Sequence, residues 1–329
     1  MTAPLHARPR LGRLVGVAAV MMMISALLGA CAITYDPTPV PVIATSTSTS
    51  PSAAASAATC SNATASYTPG TLPAADSLPS GSTMAAIRKR GRLVAGISAD
   101  TYLMGSRNPI TGQIEGFDID MVNMVAAAIF GTAKGHVQFR VITAADRISV
   151  LTDSDVDIVV RNMTITCDRW KQIAFSAEYY GSGQKLLVSR DSTIASYEDL
   201  AGKRVCAPTG TTNIAKIAEV APKATVVGVA NHTACLALFQ QGKVDAITGD
   251  DTVLAGLAAQ DPYAKVVGKA FTSEPYGIGV NAGHVDFVRF INAALAHMES
   301  SGAWKKSYNT WLGPSLGMNA TPPKPVYGR

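Results

Sequence analysis

Asp157-Ile158-Val159-Val160-Arg161-Asn162-Met163-Thr164-Ile165-Thr166-Cys167-Asp168-Arg169 decides the reading of this chain. Its first four residues form an apolar strand that gives way to polar residues. At such a strand end, backbone groups around Asn162 and Thr164 lack ladder partners and can receive a ligand. The Thr164 hydroxyl donates or accepts, and the Arg169 guanidinium matches a carboxylate through two parallel hydrogen bonds. Thr and Arg can follow any strand, so the stretch takes its meaning from its surroundings.

Outward from it, apolar strands alternate with segments of helical spacing, which argues for α/β layers. Arg92–Ile97, Val137–Ile142 and Val156–Val160 read as strands. Ile119, Val122, Met124, Val125 and Ile129 recur as one face of a helix, and 144–151 reads as a further helix. After Tyr179-Tyr180-Gly181-Ser182-Gly183 a second series begins, with strands at 185–188, 204–207, 225–229 and 244–248. Ser273-Glu274-Pro275-Tyr276-Gly277 then runs back extended, before a long amphipathic helix at 285–300 and a last helix at 304–311. The order predicts two α/β lobes, 84–183 with 275–329 and 184–274, the second inserted into the first. Two extended crossings join them, and clefts between hinged lobes are favoured ligand sites.

The amino terminus reads as an export signal over residues 1–30. Arg8, Arg10 and Arg13 precede an apolar run, 15–28, that is short for a membrane span of about 20 residues. Leu28-Gly29-Ala30-Cys31 resembles the bacterial lipobox, so Cys31 is expected to be acylated and to anchor the chain at the outer membrane face. Loss of residues 1–30 removes three arginines and no acid, lowering the formal charge from +5 to +2. No basic run suggests nucleic acid as a partner. Residues 31–83, rich in Thr, Ser, Ala and Pro, are expected to be a disordered linker. Of five cysteines, four remain after Cys31; an even number in an exported chain favours disulfides. No spacing supports a metal, and no cofactor is expected.

Several motifs fall in a telling order: Gly116-Phe117-Asp118-Ile119-Asp120, then Asn162 to Arg169, then Ala174-Phe175-Ser176-Ala177-Glu178-Tyr179-Tyr180. Leu200 to Val205, Thr209-Gly210-Thr211-Thr212, Gly242 to Ala246, Asp250-Asp251 and Pro275 to Val280 complete the set. Together, over about residues 84–315, they resemble the extracellular solute-binding proteins of polar amino-acid ABC importers. More narrowly, the chain is similar to actinobacterial glutamine/glutamate-binding lipoproteins. The resemblance implies a two-lobe, type II periplasmic-binding-protein-like fold and a monomeric receptor that is not an enzyme.

It also implies roles. Arg169 matches the arginine that holds a ligand α-carboxylate, aided by backbone near Thr164, Thr211 and Thr212 at a helix start, where free N–H groups favour an anion. Asp250 matches the carboxylate that receives the α-ammonium, with Asn162 and Thr164 as further acceptors. Arg147 falls where glutamate/aspartate binders carry an arginine for the side-chain carboxylate, and His232 matches a ligand-facing histidine. Asp100 is a further ligand-side candidate, and Arg107 a further positive charge. Arg161 is expected to point away, by strand alternation from Asn162. Ser98 and Pro208 depart from the pattern, the latter removing an N–H. The resemblance pairs Cys206 with Cys235, leaving Cys60 to join Cys167.

Glutamate or aspartate is favoured as ligand, with glutamine and asparagine open. The membrane partner is an ABC permease or a signalling protein. The fold also hosts cyclohexadienyl dehydratases, but no spare catalytic carboxylate or Ser-His-Asp order stands out beside the amino-acid clamp.

Overall fold

The computed structural model describes residues 62–329. The signal segment, Cys31, Cys60 and the linker up to residue 61 lie outside the described residues. Leu93–Ile97 sits between Val137–Val141 and Ile158–Val159, parallel to both. Gly279–Asn281 and Ile173–Phe175 extend this five-stranded sheet antiparallel, with Gly279–Asn281 between Ile158–Val159 and Ile173–Phe175. The second lobe repeats the plan: Thr225–Val229, Arg204–Pro208, Ala246–Asp250, Gln184–Ser189 and Ala264–Val267 lie in that order.

Side chains on a strand alternate between faces, and the second sheet uses both. Leu187, Cys206 and Ile247 enter one core, while Leu186, Val188, Val205 and Ala246 enter the other. The first lobe is built around Phe117, Tyr179, Phe287 and Trp304, all buried. Trp304 and Tyr308 of the helix Ala303–Trp311 face inward. Cys206 and Cys235 are bridged, tying the strand Arg204–Pro208 to the helix His232–Gln240. Cys167 is also held in a disulfide.

Among the described residues two strands pass between the lobes. Tyr180–Ser182 and Glu274–Tyr276 run antiparallel, pairing Tyr276 with Tyr180 and Glu274 with Ser182. This is the type II periplasmic-binding-protein fold, with the second lobe inserted through two hinge crossings. The predicted helix at 144–151 is broken into a 3₁₀ turn, Ala145–Arg147, and a short helix, Ser149–Thr152. Among the described residues no helix is long and apolar enough to cross a membrane.

The disordered linker expected over 31–83 requires correction at its end. Residues 62–82 are an ordered strap on the first lobe, leading into the helix Thr83–Arg90, which Ser82 caps. Ala65–Ser66 pairs in parallel with Val326–Tyr327 of the carboxyl terminus. Ser66 donates to the Phe175 carbonyl at 2.8 Å, and the buried Asn292 amide donates to Ser66 Oγ and the Tyr67 carbonyl. The same Asn292 accepts from the Ala177 N–H. Trp170 Nε1 donates to the Ala63 carbonyl, and Arg329 covers the Trp170 ring at 3.9 Å. Composition misses this strap because a few buried hydrogen bonds, with Tyr67, Leu72 and Leu78 packed on the core, fix it.

A chain cut to begin at residue 84 is therefore expected to melt about 2–12 °C below one beginning at residue 59. The buried partners stranded on Asn292 and Phe175 cost about 1–3 kcal/mol, and each kcal/mol moves melting by about 2–4 °C in a chain of this size. Differential scanning calorimetry of the two fragments checks this; equal melting temperatures would contradict it.

Candidate functional site

The strand Ile158–Val159 ends at the cleft between the lobes, and Asn162 turns the chain with a φ of 34°. Asp118, in the first turn of the helix Phe117–Phe130, fixes that turn. It accepts the Asn162 N–H at 2.8 Å and the Tyr179 hydroxyl at 2.7 Å. Its own burial pushes its carboxyl up to about 6. Strand alternation stops at this turn, which corrects the expectation for Arg161. That residue lines the cavity, its Nε held by the Ile142 carbonyl.

Arg147 is buried at the end of its 3₁₀ turn and faces the same cavity. It donates to the carbonyls of Ala144, Arg161 and Asn162 in its own lobe and of Gly210 in the other. Arg169, on the turn Cys167–Trp170, donates to the Thr164 carbonyl at 2.6 Å and likewise to Gly210 at 3.3 Å. It stands just behind the cavity wall, so two guanidiniums converge on one carbonyl of the opposite lobe. Gly210 makes that approach possible: its φ is +72°, and a Cβ there would lie 2.7 Å from the Ala145 Cα.

From the second lobe come Thr211, Thr212, Asn213, His232 and Asp250. Thr211 caps the helix Thr212–Val220, accepting from the Ile214 N–H. Asp250, last residue of its strand, accepts from Asn213 Nδ2 at 2.7 Å and the Tyr276 hydroxyl at 2.6 Å. Burial, then the nearby charge of Glu274, pushes its carboxyl up to about 7, against the lowering effect of those two donors. His232 donates from Nε2 to the Thr248 carbonyl and is held down to about 4 by burial, so it is a neutral wall of the cavity.

Asp100 is not brought to the cavity; it accepts from Ser98, and its neighbour Thr101 lines the wall instead. Arg107, also proposed from sequence, is exposed on the Gly105–Glu115 hairpin and donates to the Gly112 carbonyl. Sequence reasoning gave no role to Asp118, Asn213, Tyr276 or Glu274. The signal for Glu274 was present: a carboxylate inside the otherwise apolar crossing Glu274-Pro275-Tyr276 needs partners there.

The cavity thus holds frustrated charge. Arg147 is pushed well down by burial and by the repulsion of Arg169 and Arg161, and Asp250 is pushed up. An anion would relieve the first and a cation the second. With the lobes bonded to each other the cavity measures about 20 Å³, so a ligand enters when the lobes part.

This fold and this charge pair describe a hinged receptor for a small zwitterion, and comparison with known proteins agrees. Residues 93–314 match the bacterial extracellular solute-binding proteins, family 3, and the chain belongs to that family. It is a solute-binding protein, not an enzyme. It is 40% identical over 231 residues to the ABC transporter glutamine-binding protein GlnH of Bacillus subtilis, covering 70% of this chain and 84% of that one. It is 30% identical to the glutamate-binding protein GluB of Corynebacterium efficiens, covering 74% and 86%. Among solved structures, an ancestral arginine-binding protein bound to glutamine matches with a TM-score of 0.64 and 33% identity, over 68% of this chain and 99% of that one.

Asp250 gives the site a pH dependence. In the closed cleft without a ligand, burial holds it up to about 7; facing a ligand ammonium it ionises lower, so closure on the amino acid keeps it charged where closure on an empty cleft takes up a proton. Affinity is expected to be level above about pH 7.5 and to fall as pH drops below 7. Calorimetric titration at pH 6.5 in buffers of different ionisation enthalpy reads the proton directly. Asp250→Asn should abolish that proton exchange along with most of the affinity.

Proposed function

We propose that this protein is a lipid-anchored extracytoplasmic receptor for a free acidic amino acid, glutamate or aspartate, which it presents to a membrane importer. The observation that carries the reading is the imbalance on the cavity wall itself: Arg147 and Arg161 line it against Asp250, with Arg169 just behind on the positive side and Glu274 and Asp118 behind on the negative. One guanidinium serves an α-carboxylate and Asp250 serves an α-ammonium. That leaves a second guanidinium on the wall for a second ligand carboxylate to meet; an unpaired buried cation is costly.

Arg169 takes the α-carboxylate, replacing its bond to Gly210, and Arg147 takes the side-chain carboxylate with Arg161 beside it. Asn162, Thr164, Thr211 and Thr212 complete the clamp. Relatives named for glutamine and for glutamate both support a dicarboxylate-sized ligand or its amide, and the surplus arginine favours the acid. Cys31 supplies the anchor after loss of residues 1–30. A role in sensing, with a signalling protein in place of the importer, uses the same site and the same closure.

Titration calorimetry with glutamate, aspartate, glutamine and asparagine tests the assignment. A single site is expected, with acids tighter than amides. Arg169→Ala should weaken all four, and Arg147→Ala should weaken the acids by about 10-fold or more while sparing the amides, the worth of a charge-assisted hydrogen bond. An unchanged acid-to-amide preference in Arg147→Ala would show the side-chain assignment to be wrong.

A further inference from the structure

Glu274 lies outside the cavity wall yet governs two residues that form it. It stands on the second crossing strand, 3% exposed. Its Oε2 accepts from Thr164 Oγ1 of the first lobe at 2.6 Å and from Thr212 Oγ1 of the second at 2.8 Å. Its Oε1 accepts from Thr272 Oγ1 at 2.7 Å. The hydroxyl oxygens of Thr164 and Thr212 themselves stand 3.4 Å apart, one on each side of the cleft.

An ionised carboxylate only accepts hydrogen bonds. Both threonine hydroxyl protons are therefore committed to Oε2, and each oxygen has only lone pairs left for the cavity. From this geometry we infer that Glu274 is a specificity-determining positioning residue. It turns the Thr164 and Thr212 hydroxyls into acceptors, so that the wall they share with Asp250 receives an ammonium group and rejects a ligand that lacks one. The inference rests on the receptor reading above and deepens it by assigning the selection for an α-amine.

The surroundings agree. Both threonines line the cavity with Asp250, and the charge of Glu274 reaches Asp250 on one side and Arg169 on the other. Negative potential thus gathers beside Asp250, while the guanidiniums of Arg147 and Arg161 line the wall of the first lobe. The hydroxyls of the two lobes meet on Oε2 in the closed structure, so the acceptor pair is in place when the cavity is enclosed.

Glu274→Gln keeps the shape but removes the charge and puts an amide donor in place of one accepting oxygen, so the two hydroxyl protons are no longer both held on an anion. Calorimetric titration with glutamate and with glutarate, which has the same two carboxylates and no amine, reads the consequence. The unaltered protein should bind glutamate at least about 100-fold tighter than glutarate, and Glu274→Gln should shrink that ratio by about 10-fold, chiefly by weakening glutamate. A merely structural support of the hinge would weaken both ligands alike. An equal loss for both, or an unchanged ratio, overturns the inference.

Should Glu274→Gln fail to fold, Thr212→Ser and Thr212→Val carry the same comparison: Ser retains the ratio and Val lowers it, and a ratio kept by Val overturns the inference. Failure of the unaltered protein to bind any amino acid would sink the receptor reading, and this inference with it. That outcome precedes any substitution and is distinguishable from the others.

Discussion

Opposite charges facing each other across a closing hinge are the constraint on which the rest of this structure depends. Asp250 reaches the cavity from the second lobe; Arg147 and Arg161 reach it from the first, with Arg169 behind them. None of these groups is comfortable there alone. Burial raises the carboxyl of Asp250 and lowers the guanidiniums, which also repel one another. Low polarity around such groups makes the unpaired state costly and a matched pair strong. A zwitterion held between the lobes satisfies both signs at once, and water refilling an opened cleft satisfies them when the ligand leaves.

The scaffold is arranged to keep that choice sharp. Each lobe has its own sheet covered on both faces, so each moves as a unit, and among the described residues Tyr180–Ser182 and Glu274–Tyr276 connect them. The closing faces carry little bulk where they touch: Gly210 lies against Ala145, and a Cβ on Gly256 would come 2.5 Å from the Tyr102 carbonyl. Tyr276 and Glu274 sit on the crossing itself and bond directly to the cavity-lining groups Asp250, Thr164 and Thr212. Hinge and binding wall therefore share side chains, and the charge state of one is felt by the other.

Much of this was legible in the residues. Period-two apolar strands separated by helical spacing gave two α/β series, and the extended crossings followed from Tyr180 and Pro275. Arg147, Thr164, Thr212, His232 and Asp250 do meet in one cavity. Other features depend on distances a sequence does not carry. Arg161 enters the cavity because Asn162 adopts a positive φ just after the strand, which no alternation rule anticipates. Asp100 misses it because Ser98 takes its carboxylate. The strap over 62–82 reads as disordered by composition, yet a few buried hydrogen bonds to Asn292 and Phe175 hold it. Its contact through Trp170 places the start of the strap against the short turn that carries Arg169, so the strap and the cavity side of the first lobe meet on one element.

A crystal structure of the protein with glutamate bound tests the central claim most directly. The account predicts the ligand between the lobes, its ammonium nitrogen about 3 Å from an Asp250 oxygen, and its two carboxylates on Arg169 and Arg147. A ligand seated elsewhere, or one between the lobes with its ammonium turned away from Asp250, would contradict it.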